Sequence, residues 1–131
     1  MKYTQSGGQS AKGPHDWFTG DVYVDTIRNP DNQTAIGCAH VHFTPGARTV
    51  RHTHPMGQTL YVTDGIGYVG TRAGKQEIHP GDVVYIEPGE EHWHGASPDR
   101  FMSHIAMQQA DEHGEVVTWG EATTEEDYLG V

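Results

Sequence analysis

An all-β chain, rolled into a small antiparallel barrel with one short helix at its C-terminal end, is what this sequence predicts. Three observations carry the prediction. Its segments are short and alternate apolar with polar residues at period two, as in DVYVDTI at 21–27. Gly, Pro, Asp and Asn punctuate them at roughly the 8–12-residue spacing of sandwiches and barrels. No internal repeat of about 20–50 residues is visible that would make it a solenoid or propeller.

At 131 residues the chain suits a single domain. Residues 1–14 are polar and Gly/Ser-rich and read as a flexible N-terminal arm, leaving 15–131 as the domain. Asp16-Trp17-Phe18-Thr19-Gly20 reads as a hydrophobic plug or subunit contact before the first strand, Asp21–Ile27. Arg28–Asn32 is a turn cluster. Thr34–Thr44 alternates with Ala39, Val41 and Phe43 on one face and Cys38, His40 and His42 on the other. Ala39 and Val41 are therefore placed inside, His40 and His42 outside. Strands follow at Thr49–His54 and Gln58–Val62, then an Asp64-Gly65 hairpin into Ile66–Thr71. Gln76–His79, Val83–Glu87, Glu91–Gly95, Phe101–Gln108 and Val116–Trp119 complete the strands, each bounded by Gly, Pro or Asp. Thr123 with Glu126 three residues on predicts a capping box opening the terminal helix.

Composition narrows the function. A formal net charge of −10 argues against nucleic acid or an anionic membrane as partner. No apolar run approaches membrane-spanning length and the N-terminus has no signal-peptide core, so a soluble, cytoplasmic protein is expected. The one cysteine, Cys38, fits a reducing compartment and reads as a small strand hydrophobe.

The chemistry concentrates in histidines. His52 and His54 are one residue apart, so a strand aims both imidazoles to one side. Gln58 follows past a Pro/Gly turn, and His92 and His94 repeat the alternation in GEEHWHG. Neutral ring nitrogens converging with an amide oxygen make a divalent-metal site. His15, His79 and His113 sit in turn-like settings and read as ordinary exposed residues.

Gly46-x5-His52-x-His54-x3-Gln58-x6-Gly65 resembles the first cupin motif, with Gln58 in place of Glu. Gly81-x5-Glu87-x-Gly89-x2-His92-x3-Ala96 resembles the second, with Glu87 for Pro and Ala96 for Asn. The resemblance implies the double-stranded β-helix, or jelly roll, and a ligand set of His52, His54, Gln58 and His92. WFTG, PGART, HTHPMGQTL, HPGDVV and PGEEHWHGA look more narrowly like small bacterial manganese cupins with hydroxynitrile lyase activity. That likeness implies catalytic roles for His94, His104 and Gln108 and a pocket lined by Ala39, Val41 and Thr49. It also implies one divalent ion per subunit, with Mn²⁺ favoured and Fe²⁺, Ni²⁺ or Zn²⁺ possible, and a homodimer or homotetramer. His104 and Gln108, four apart on one strand, share a face. Thr49 is odd by parity against His52 and needs a bulge between them to enter the same pocket.

A carboxamide in place of a carboxylate ligand leaves the ion's charge undiminished. That disfavours a trivalent state and favours Lewis-acid work over redox cycling. No cysteine lies near either motif, which argues against a structural zinc site. The expected activity is cyanohydrin cleavage or formation on a small neutral substrate, with His94 or His104 moving the proton. A sugar-acid isomerase or tautomerase, a dioxygenase and a non-catalytic small-molecule-binding module are the alternatives. The first would need a basic carboxylate clamp, for which Arg48, Arg51, Arg72 and Arg100 are available; Arg51, beside an inward ligand, is expected to point outward.

Overall fold

The computed structural model describes residues 1–130. Its strands are β1 (Ala11–Lys12), β2 (Phe18–Thr19), β3 (Val22–Arg28), β4 (Ile36–Phe43), β5 (Arg48–Thr49), β6 (His52–Thr53) and β7 (Gln58–Gly65). They continue with β8 (Gly67–Thr71), β9 (Gly74–Ile78), β10 (Val83–Ile86), β11 (Trp93–Ala96), β12 (Met102–Gln109) and β13 (Thr118–Trp119). One helix, α1 (Glu125–Leu129), closes the described chain. Two antiparallel sheets face each other, ordered β1-β3-β4-β12-β7-β10 and β2-β5-β11-β8-β9, and β13 pairs separately with β6. This is the predicted jelly roll with a short C-terminal helix. Among the described residues no helix is long and apolar enough to cross a membrane.

Alternation decides what lies between the sheets. Val22, Phe43, Leu60, Val62, Met102 and Ala96 are fully enclosed and form the centre of the core, with Ile78 and Ile86 beside them. On β4 the inward positions are Val41 and Phe43, while His40 and His42 stand on the outer surface of the sheet. There His40 meets Thr63 Oγ1 at 2.8 Å, and His42 bridges Ser103 Oγ (2.8 Å) and Asp25 (3.0 Å). Ala11 and Lys12 of the polar N-terminal stretch pair with Val24 and Tyr23 on β3, and residues 1–10 are exposed.

Two local expectations are corrected. Asp64-Gly65 does not make a hairpin: β7 belongs to the first sheet and β8 to the second, with only Ile66 between. Gly65 adopts φ 79°, and a Cβ there would overlap the Phe101 carbonyl, which instead accepts from Ile66 N at 3.0 Å. The chain thus turns a corner from one sheet to the other. The helix cap is Thr124, not Thr123; its side chain accepts from Asp127 N at 3.1 Å. Thr123 is buried and donates to the Thr49 carbonyl at 3.0 Å.

Candidate metal centre and cavity

The site lies where three short pieces of chain meet. β6 carries His52 and, just past its end, His54; a backbone bridge joins His52 to His92; and β7 begins at Gln58. All four side chains are buried. His52, His54 and His92 each bring a ring nitrogen within 4.8 Å of the others.

Hydrogen bonds settle which nitrogen faces inward. Nδ1 of His52 lies 2.8 Å from the Val50 carbonyl, that of His54 2.7 Å from Val116, and that of His92 3.0 Å from Glu90. A carbonyl only accepts, so each Nδ1 carries the proton and each Nε2 presents a lone pair. Desolvation, the largest cause at each, keeps the rings neutral. It holds His52 well below the ordinary imidazole range, lowers His54, and brings His92 to about 4.

Gln58 is fixed the same way. Its Nε2 donates to Gln108 Oε1 at 3.1 Å, so Oε1 faces the histidines, 3.2 Å from His92 Nε2. An amide oxygen and an imidazole lone pair are both acceptors, and the buried His54 Nε2 beside them has no partner. Converging acceptors without a donor are what a cation completes. The residues therefore fit a divalent ion, which His52, His54 and His92 could hold with the Gln58 carbonyl oxygen beside them.

Beside this cluster opens a cavity of about 380 Å³. Ala39, Val41, Thr49, His94, His104 and Gln108 all line it, together with His52 and Gln58. Registry brings them together: His104 lies between Val62 and Val41, and Gln108 between Gln58 and Gly37. Thr49 enters because β5 ends there and Val50-Arg51 break the strand before His52, resetting the parity. Its Oγ1 accepts from His94 N at 3.1 Å. His94 Nδ1 and His104 Nε2 are 2.9 Å apart, one donating to the other, while His94 Nε2 and His104 Nδ1 are buried without partners. Burial holds His94 well below its ordinary pKa and His104 at about 3, so the pair is neutral.

Aromatic side chains also line the cavity. Trp17 stacks on Trp119 at 4.9 Å, and Trp119 in turn packs against the His52 ring at 4.9 Å. Both indoles and Phe18 line the cavity, and Phe18 also belongs to the buried core. Nothing in the sequence links positions 17 and 119.

Among the described residues, no basic group lies free in the cavity. Arg48 and Arg51 are buried against α1, pairing with Glu125 (2.9 Å) and Asp127 (2.5 Å). Lys12 and Arg28 reach the wall but are paired to Asp21 (3.3 Å) and Asp31 (2.9 Å). His15, His79 and His113 are exposed, as expected.

The family model described as "Cupin domain" matches residues 39–103, spanning both histidine pairs. A protein of Granulicella tundricola named (R)-mandelonitrile lyase is 48% identical over 130 residues, 98% of each chain. The chain belongs to the cupin family. Among solved structures, a cupin-like protein of Thermotoga maritima shares 37% identity and a TM-score of 0.85, covering 97% of this chain and 96% of that one. A predicted oxalate decarboxylase of the same organism, at 19% identity and TM-score 0.72 over 82% of this cupin and 96% of that chain, shares the fold alone.

Proposed function

We propose that this cupin is a metal-dependent lyase that cleaves and forms cyanohydrins from an aldehyde and hydrogen cyanide. The observation that carries the reading is the pairing of an acceptor-only histidine and amide cluster with a neutral His94–His104 dyad on one largely apolar cavity whose wall cations, Lys12 and Arg28, are paired. A divalent ion, with Mn²⁺ favoured, would supply Lewis acidity there, drawing electron density from a substrate oxygen.

The chain's own residues do the rest. His94 Nε2 takes the hydroxyl proton of the cyanohydrin, and His104 across the 2.9 Å contact takes up or returns the dyad's second proton. As the oxygen's electron pair forms the carbonyl, the bond to the nitrile carbon breaks and its pair leaves with cyanide. The proton held on His94 then passes to cyanide, releasing HCN. Gln108, whose carbonyl is engaged by Gln58, has its amide NH₂ left to donate to the nitrile nitrogen. Trp17, Trp119 and Val41 exclude water and seat the aldehyde's apolar group.

The absence of a free cation in the cavity favours a neutral substrate over a sugar acid. The undiminished ion charge left by Gln58 argues against a dioxygenase. The strong likeness to a protein named (R)-mandelonitrile lyase supports the lyase reading and makes mandelonitrile the first substrate to test. Manganese-loaded protein is expected to release benzaldehyde from it above the buffer rate, and His94→Ala to lower kcat by about 10²–10⁴-fold with metal content unchanged. Wild-type protein carrying a full complement of metal yet no faster than buffer would sink the proposal.

A further inference from the structure

The cavity runs crosswise over the inner face of the first sheet, and strand registry shows where it leads. One row sets Val62, His104, Val41 and Val24 across β7, β12, β4 and β3. The next sets Leu60, Ala106, Ala39 and Thr26 in the same order. In a third, Gln58 lies opposite Gln108 and Gln108 opposite Gly37, with Arg28 alongside at Cys38. Ala106 and Ala39 both border the cavity, and their small side chains leave a trough between the Gln58 side and the Thr26 side. Three strand spacings of about 4.8 Å give that trough a length of about 14 Å.

The two ends of the trough differ in chemistry. Along β3 the side chains facing it change from Val22 and Val24, which pack in the core, to Thr26, Arg28 and then Asn29, which are exposed. Lys12 reaches the same end from β1, which pairs with β3. Both cations are tied to carboxylates, yet each keeps N–H donors to spare. Arg28 gives Nη2 to Asp31 at 2.9 Å, and Lys12 meets a single Asp21 oxygen at 3.3 Å. A matched charge with unused donors suits a neutral acceptor better than a second anion. Mandelonitrile, one ring with two further carbons, covers only part of the span from the metal ligands to this end.

We propose that the substrate is an aromatic aldehyde, or its cyanohydrin, whose ring carries an uncharged, acceptor-rich tail that reaches Thr26, Arg28 and Lys12. The reacting end rests on the lyase reading above; the tail site rests on the registry and the exposed polar end of β3. The ring stays where Trp17, Trp119 and Val41 seat it, and the tail crosses Ala39 to the far end. There its ether, hydroxyl or ester oxygens accept from the spare donors of Arg28 and Lys12 and from the Thr26 hydroxyl. A carboxylate tail meets Asp21 and Asp31 in a chain of net charge −10, which disfavours it. An alkyl tail displaces the water on those donors without replacing its hydrogen bonds.

Benzyl alcohols test the tail site without turnover. Three are compared, with a 2-methoxyethoxy, a pentyl or a carboxymethoxy group para to the alcohol. Binding to metal-loaded protein is read from tryptophan fluorescence, since Trp17 and Trp119 line the cavity. The ether tail is expected to bind about 10-fold tighter than either of the others, the worth of a hydrogen bond from a charged donor. In Thr26→Val/Arg28→Met the ether and pentyl tails should bind alike. Arg100→Met, an exposed arginine outside the cavity wall, is the control and keeps the wild-type preference. Equal affinities in wild type, a preference for the pentyl or carboxylate tail, or an ether preference that survives in the double variant overturns the tail site. Mandelonitrile turnover is measured alongside; protein inert toward it that still prefers the ether tail overturns the lyase reading and leaves the tail site standing. If the double variant unfolds, the wild-type affinity ratios decide the question alone.

Discussion

The two histidine pairs look alike in sequence but are held in opposite ways. His94 belongs to the barrel, on β11, which is buried at every position and flanked on both sides by β5 and β8, and His92 immediately precedes that strand. His52 and His54 sit on a two-residue strand whose sheet neighbour is β13, close to the end of the chain. Beyond the backbone bridge to His92 and the Val50 carbonyl, much of what secures that second pair comes from residues 116–127. Val116 accepts from His54, Gly120 N donates to the Arg51 carbonyl and Arg51 N to that of Glu121, Thr123 reaches Thr49, and Asp127 holds Arg51. The metal centre thus has one half built into the fold and one half strapped on from outside the segment that matches the family model. Ligand identity is a property of the motifs; ligand stiffness on the strapped side is a property of the tail.

Replacing a ligand tests the shared part of this contrast. His92→Ala and His52→Ala are each expected to leave the protein without metal after dialysis, read by elemental analysis; retention in either would remove that residue from the ligand set.

Asp127→Asn separates the halves. It leaves the Arg51 guanidinium, 5% exposed, short of its counter-charge, for an expected loss of about 2–3 kcal/mol, at or below the low end for a broken buried pair because Asp127 is partly solvated. Metal affinity should fall about 10–100-fold, as for lost outer support of a ligand. Calorimetric titration of the refolded apo-protein reads the second effect apart from the first. An unchanged affinity would mean that the strap stabilises the chain without orienting the ligands.

Acid should also distinguish them. All the site's imidazoles titrate lower folded than unfolded, so the unfolded chain takes up protons first. Apo-protein stability contributed by these groups is complete above about pH 6.5 and falls as pH drops toward 4, where His92 titrates. Desolvation lowers His54, against the Val116 carbonyl and Gln58, which favour its protonated form; desolvation brings His92 to about 4 with the His54 charge adding to it. His54 is expected to protonate first of the ligand rings when apo-protein is titrated by NMR. His92 leading would reverse the assignment of the softer half.

Thr124→Ala, removing the cap of α1, should cost about 1 kcal/mol in a urea melt. Its effect on metal affinity should be smaller than that of Asp127→Asn, since Arg48 and Arg51 still reach their carboxylates.

What was legible in the sequence follows the range of the forces involved. Parity along one strand is local, and it correctly separated Ala39 and Val41 from His40 and His42 and set His104 and Gln108 on one side. The ligand motif is likewise compact. The corner at Gly65 was missed because Asp-Gly signals a tight change of direction without saying which sheet receives the next strand. Trp17 and Trp119 were missed as a pair because only the closed barrel brings β2 and β13 together, and the one-residue error at the helix cap arose because Thr123 and Thr124 are equally good caps until tertiary contacts claim one of them.

The bond from His54 to the Val116 carbonyl spans 62 positions along the chain. During synthesis, both histidine motifs leave the ribosome before the carbonyl that orients His54 exists. A nascent chain that has not yet reached Val116 can therefore gather these histidines without the bond that fixes the tautomer of His54.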